Sequence, residues 1–174
     1  MLNRRHLLLT GAASALCIMQ PAAARLAPAR KIFLENTHTG ESFHDVYWAD
    51  GDYVAEALSQ LNVLLRDHRT DEVTEIDPAL IDALARLRLR VETARPIEIT
   101  SAYRSPETNA AVRRRNRHAA LNSFHMHGKA VDIQIPGMSV ARLRRAAISL
   151  KAGGVGTYRD ANFVHLDVGP VRVW

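Results

Sequence analysis

Ser123-Phe124-His125-Met126-His127-Gly128-Lys129-Ala130-Val131-Asp132-Ile133-Gln134-Ile135 changes character halfway along. The first half sets two histidines and a hydroxyl around a glycine and has no continuous apolar face, which reads as a loop. From Ala130 the residues alternate: Val131, Ile133 and Ile135 fall on one side, Ala130, Asp132 and Gln134 on the other. That is the two-residue period of a strand with one face on a core. Asn162 to Val168 repeats the pattern, with Val164, Leu166 and Val168 inward and Phe163, His165 and Asp167 opposite. A carboxylate and an imidazole among such aliphatic neighbours need partners, because burying either alone is costly.

The flanking sequence supplies helices and further strands. Lys31 to Glu35 and Ser42 to Trp48 read as strands joined around Thr39-Gly40. Tyr53 to His68 has helical spacing, with Val54, Ala57, Leu58, Leu61 and Leu65 on one stripe. A second helix follows Asp77-Pro78, a cap residue with proline at the first helical position, and presents Leu80, Ile81, Leu84, Leu87 and Val91. Pro96 to Thr100 reads as a short strand and Pro106 to about Asn116 as a helix carrying Arg113, Arg114 and Arg115. A last helix runs from Ser139 through Leu143, Ala147 and Leu150, and stops before Gly153-Gly154. Helices and strands mix without regular βαβ alternation, so the expected class is α+β: a small antiparallel sheet with helices packed mainly on one side.

The chain has 174 residues, 47% apolar and 24% charged, with a formal charge of +5 and one cysteine. This suits one globular domain and excludes a disulfide scaffold. Residues 1–24 hold no acidic side chain; Arg4-Arg5 precedes an apolar run from Leu7 to Met19 and then Pro21-Ala22-Ala23-Ala24. A charged start, a short apolar run and a small-residue cleavage site make an export signal. The paired arginines favour the twin-arginine route over the general secretory one. The run is too short for a comfortable membrane span. Without that segment, residues 25–174 form a single domain with 21 basic against 18 acidic side chains and no cysteine. So small an excess gives little support to nucleic acid as a partner. The expectation is a periplasmic protein with no stable membrane insertion, monomeric by default.

Imidazole nitrogen and carboxylate oxygen are good zinc ligands, and three protein ligands with a free fourth position make a catalytic site. A loop histidine at 125, a strand aspartate seven residues later and a distant strand histidine at 165 permit such a site if the two strands are neighbours.

Ser123-x-His125-x-x-Gly128-x-Ala130-x-Asp132 followed by His165 resembles the metal motif of the D-alanyl-D-alanine-type zinc peptidases, the superfamily that also holds the hedgehog signalling domain. The likeness extends to the MepK-like murein endopeptidase subfamily through several further segments. These are Asn36-Thr37-His38-Thr39-Gly40-Glu41, Leu65-Arg66-Asp67-His68-Arg69, Ser101-Ala102-Tyr103-Arg104-Ser105-Pro106, Gly153-Gly154-Val155-Gly156 and Phe163-Val164-His165-Leu166-Asp167-Val168-Gly169. It covers essentially all of residues 25–174.

The resemblance implies that His125, Asp132 and His165 hold Zn2+ and that Arg104 faces the substrate. It implies a hydrolase in which a metal-activated water attacks a peptide carbonyl in the cross-links of peptidoglycan, with links between two diaminopimelates suggested by the subfamily. The D-alanyl-D-alanine peptidases place a glutamate three residues before the last histidine ligand. Here that position is Asn162, which cannot act as a base. Asp167, two residues beyond His165 and on the same strand face about 6–7 Å along the chain, is the first replacement considered. His127 is the second, and an orienting role for Asp167 is its alternative. Two other functions stay open: a carboxypeptidase that removes a D-amino acid from stem peptides, and a non-catalytic zinc-containing module that binds the cell wall. His38, His44, His68 and His118 read as structural or surface residues, and Arg113 to Arg117 as a solvated helix face.

Overall fold

The alternating stretch Ala130–Gln134 is a strand inside an eight-stranded sheet. The computed structural model describes residues 27–116 and 119–174. The expected export signal over residues 1–24 lies outside the described residues, as do Arg117 and His118. The elements run β1 (Arg30–Asn36), β2 (Ser42–Ala49), β3 (Asp52–Tyr53), α1 (Ala55–Leu64), α2 (Pro78–Val91), β4 (Ile97–Ser101), α3 (Pro106–Arg115), a 3-10 turn (Phe124–His127), β5 (Ala130–Gln134), α4 (Val140–Leu150), β6 (Gly154–Tyr158), β7 (Phe163–Asp167) and β8 (Arg172–Val173). No described helix is long and apolar enough to cross a membrane.

The class is α+β, as the mixed pattern implied. The sheet order is β3-β2-β1-β4-β5-β7-β6-β8. The sheet is mixed rather than wholly antiparallel, because β1 pairs with β4, and β6 with β8, in parallel. A parallel pairing needs a long crossover, and for β1 and β4 the chain through α1 and α2 provides it. Helix α2 begins as expected, the Asp77 carboxylate accepting from the Ala79 N–H with Pro78 at the first helical position. Helix α1 is shorter than its apolar stripe: it stops at Leu64, and the chain then folds on Asp67. The Asp67 N–H donates to the Glu72 carbonyl, and the Asp67 carbonyl accepts from Thr70 and Asp71. A loop that satisfies its own backbone in this way competes with another helical turn.

The core is one cluster on one face of the sheet. Ile32 and Leu34 of β1, Ile99 of β4, Val131 and Ile133 of β5, and Val164 and Leu166 of β7 pack with Leu61, Leu84 and Leu143 of the helices. The opposite face of β5 and β7 carries Asp132, His165 and Asp167. The turn that leads into β5 depends on Gly128. Its φ is +63°, and a Cβ there would overlap the Glu75 carbonyl oxygen; its own carbonyl accepts from the Asp77 N–H at 3.0 Å. Gly128→Ala therefore meets both a disfavoured backbone and an immovable neighbour, with an expected loss of about 2 kcal/mol or more. Urea denaturation of the two proteins measures it, and an unchanged midpoint would contradict the packing described.

Candidate metal centre

Strand register creates the site. Ser101 lies opposite Asp132, Asp132 opposite His165, and His165 opposite Gly156, so four neighbouring strands contribute one row of residues. The 3-10 turn brings His125 over this row. Ser123 caps the turn by accepting from the His125 N–H, and Gly128 closes it in the left-handed region. His125, Asp132 and His165 are buried, and one ligand atom from each lies within 4.8 Å of the others.

Each imidazole is oriented by its outer nitrogen. Nδ1 of His125 is 2.6 Å from the Ala102 carbonyl, which can only accept, so Nδ1 carries the proton and Nε2 turns inward with its lone pair. That Nε2 is 3.1 Å from Nδ1 of His165 and 3.3 Å from Oδ1 of Asp132. On the His165 ring, Nε2 points at Oδ2 of Asp167 at 3.0 Å, leaving Nδ1 inward, 2.9 Å from Oδ1 of Asp132. Two imidazole lone pairs and a carboxylate oxygen thus converge on one point. Such a donor set fits a divalent cation with an open coordination position.

The electrostatics of Asp132 and His125 agree with this arrangement. Burial opposes ionisation of Asp132, but His125, His165 and Arg104 outweigh it and hold the carboxyl far below the usual range. Burial pushes the His125 pKa down, keeping the ring neutral as a ligand must be. Burial pulls the same way on His165, but hydrogen bonds to Asp132 and Asp167 prevail and raise its pKa.

Arg104 stands at the edge of the row. Its Nε donates to Ser101 Oγ at 2.9 Å, Nη2 pairs with Oδ2 of Asp132, and its guanidinium lines a cleft of about 650 Å3. The segment that carries it is tied down at every residue. The Tyr103 N–H donates to Leu65, the Arg104 N–H to the His125 carbonyl, and the Ser105 N–H to the Asp67 carboxylate.

Neither expected base faces the cleft. Asp167 is fully buried, and its oxygens take the His165 ring, the N–H groups of Gly154 and Gly169, and both terminal nitrogens of Arg172. Burial would raise its pKa, but these donors hold it well below the usual range. A carboxylate so placed acts on the outer nitrogen of His165, on the side away from the cleft. His127 is exposed, with Nε2 2.7 Å from Asn122 Oδ1, and does not line the cleft. Asn162 sits in the β6–β7 turn with φ +55° and donates to Gln134. Among the described cleft-lining residues, Asp132 is the one carboxylate. Sequence reading passed over Arg172, Tyr158 and Trp174, which wall the cleft beside His165. Their signal was the pair Gly154 and Gly156. A Cβ at Gly154 would lie 2.6 Å from Asp167 Oδ2, and one at Gly156 2.6 Å from the Trp174 indole.

Residues 24–174 match the family described as peptidoglycan L,D-endopeptidase MepK. The chain is 42% identical over 176 positions to the peptidoglycan L,D-endopeptidase MepK of Escherichia coli K12, covering 99% of this chain and 97% of that protein. It is 34% identical to the probable peptidoglycan L,D-endopeptidase MepK of Haemophilus influenzae, covering 99% of this chain and 95% of that protein.

The clamp at Asp67 makes a measurable prediction. Burial would raise its pKa, but donors from Thr108, Arg69 and Ser105 bring it down to about 2. A depressed carboxyl stabilises the fold above its unfolded pKa, and that contribution disappears as pH falls through the folded value. Asp67→Asn is expected to cost about 2 kcal/mol at pH 6 and almost nothing near pH 2. Denaturation midpoints of both proteins across that range provide the test; a penalty that does not change with pH would mean the charge contributes nothing.

Proposed function

We propose that this chain, which belongs to the peptidoglycan L,D-endopeptidase MepK family, is a zinc-dependent hydrolase that cuts peptide cross-links of murein. The observation that carries the reading is the buried His125, Asp132 and His165 set at the floor of an open cleft. The relatives' name points to a bond following an L-centre, which includes cross-links between two diaminopimelates. The basic, apolar and small-residue stretch over residues 1–24 supports export to the periplasm, by the twin-arginine route, where such a substrate lies.

His125, Asp132 and His165 would hold the ion through the two inward ring nitrogens and the carboxylate oxygen that converge there. A zinc ion there supplies a Lewis acid that lowers the pKa of water and polarises a carbonyl oxygen. Asp167 keeps the proton of His165 on Nε2 and so fixes the ring with its other nitrogen inward, a carboxylate–histidine support common around metals. Arg104 binds a substrate carboxylate or carbonyl oxygen at the edge of the row, and stabilises negative charge as it develops there. Its bond to Ser101 and its pairing with Asp132 pre-set the guanidinium plane. Asp167 and His127 both lie off the cleft lining, so neither is proposed as the proton-accepting group.

Two measurements test this reading. Residues 25–174, loaded with zinc and incubated with purified sacculi, should release fragments whose masses correspond to cut cross-links, and a chelator should stop the release. Release of single D-amino acids would instead identify a carboxypeptidase, and intact sacculi around a folded, zinc-bound protein would identify a binding module. In the second measurement, Asp132→Ala should bind no zinc and release nothing. Asp167→Asn should fold but bind zinc about 10–100-fold more weakly in a chelator competition. Full affinity in that variant would remove Asp167 from the support of His165.

A further inference from the structure

We propose that Trp174 determines specificity: its indole is a shelf beside the metal centre that receives the aliphatic side chain of a residue flanking the scissile bond. The inference rests on the peptidase reading above and adds the chemistry of one subsite.

Ser101, Asp132, His165 and Gly156 are successive cross-strand partners. The fourth position has no side chain, and the Trp174 indole fills the space above it, 2.6 Å from where a Cβ of Gly156 would stand. Strand β8 delivers it: Val173 pairs with Val155 of β6, and the Trp174 N–H donates to the Val155 carbonyl at 3.2 Å. The indole is then held from several sides. Its centroid lies 5.3 Å from the His165 ring, Nε1–H donates to the Tyr158 hydroxyl at 3.3 Å, and the Arg172 guanidinium stands 5.0 Å from the ring centre.

For all these contacts, Trp174 belongs to no core. It is 48% exposed, absent from the buried cluster, and lines the cleft. Tyr158, stacked on Phe163 with centroids 4.6 Å apart, extends the apolar surface. An aromatic ring held this firmly and left half open gains most from an apolar group laid on it.

Both ends of the row carry a paired arginine, Arg104 on Asp132 and Arg172 on Asp167, and the aromatic surface of Trp174, Tyr158 and Phe163 lies at the second end. A substrate spanning the row therefore lays an apolar chain on the Trp174 indole. In a murein stem that chain is the run of methylenes in diaminopimelate. A sugar face can also stack on an indole, but a shelf in contact with the His165 ring lies within one residue of the bond being cut.

The test uses sugar-free cross-linked peptides in pairs. Each pair differs only in one residue flanking the scissile bond, carrying either the diaminopimelate chain or a methyl group, and the two flanking positions are varied in turn. The wild-type protein should favour the long chain at one position by about 10–100-fold in kcat/KM. Trp174→Ala should abolish that preference at unchanged zinc content, and Trp174→Phe should keep most of it. The inference is overturned if Trp174→Ala retains the preference, slows both members of a pair equally, or loses zinc. Failure of the wild-type protein to cut any of these peptides, or sacculi, would instead overturn the peptidase reading, and with it the premise of this inference.

Discussion

A carboxylate only 3% exposed at Asp132 governs the architecture around it. A lone charge at such depth is expensive, so the fold pairs it with the guanidinium of Arg104 and sets Nδ1 of His165 and Nε2 of His125 around it, where a cation would join all three. Each of those groups needs its own support. His125 leans on the Ala102 carbonyl, His165 on Asp167, and Arg104 on Ser101. The segment Ala102 to Ser105 thus serves two of the three at once, and it is fastened to the rest of the molecule through Leu65 and Asp67. Asp67 lies far from Asp132 in sequence and touches none of the metal-facing atoms, yet the geometry of the centre depends on it through this chain of bonds.

The same register serves the core and the site. Val131 and Ile133 of β5, and Val164 and Leu166 of β7, are buried on the helical side; Asp132 and His165 are their alternate neighbours. A slip of one residue between these strands would send aliphatic side chains into the cleft and charges into the core, so hydrophobic packing strongly favours the functional register. Placing Ser101, Asp132, His165 and Gly156 in line therefore needs no interaction specific to that line.

Much of this could be read from the chain, where side-chain period reports burial directly. The alternation at 130–135 and 162–168, the Asp77-Pro78 start of α2, and its apolar stripe all correspond to what the structure contains. Strands β6 and β8 escaped notice for a physical reason. Gly154-Val155-Gly156 looks like a turn in sequence because two glycines flank one β-branched residue, but here each glycine leaves room for a side chain arriving from elsewhere, Arg172 against Asp167 in one case and Trp174 in the other. A missing Cβ signals a close approach but does not say which distant residue makes it. The parallel pairing of β1 with β4 was equally hidden, because it depends on how α1 and α2 carry the chain back across the sheet.

The position that departs from the glutamate pattern has a backbone explanation. Tyr158 pairs with Phe163, so Arg159 to Asn162 form the whole connection between β6 and β7. Asn162 closes that turn in the left-handed region, with its N–H bonded to the Arg159 carbonyl. Asparagine tolerates this conformation better than most side chains do, because its short amide bonds locally. A glutamate would gain nothing in such a turn, and its carboxyl would start from a residue that does not line the cleft. Asp167 does not line the cleft either. Two residues along a strand from His165, it reaches the outer nitrogen of that ring and is saturated there by Gly154, Gly169 and Arg172. The backbone of one tight hairpin thus sets Asp167 against the outer nitrogen of His165 and keeps both Asp167 and Asn162 off the cleft lining.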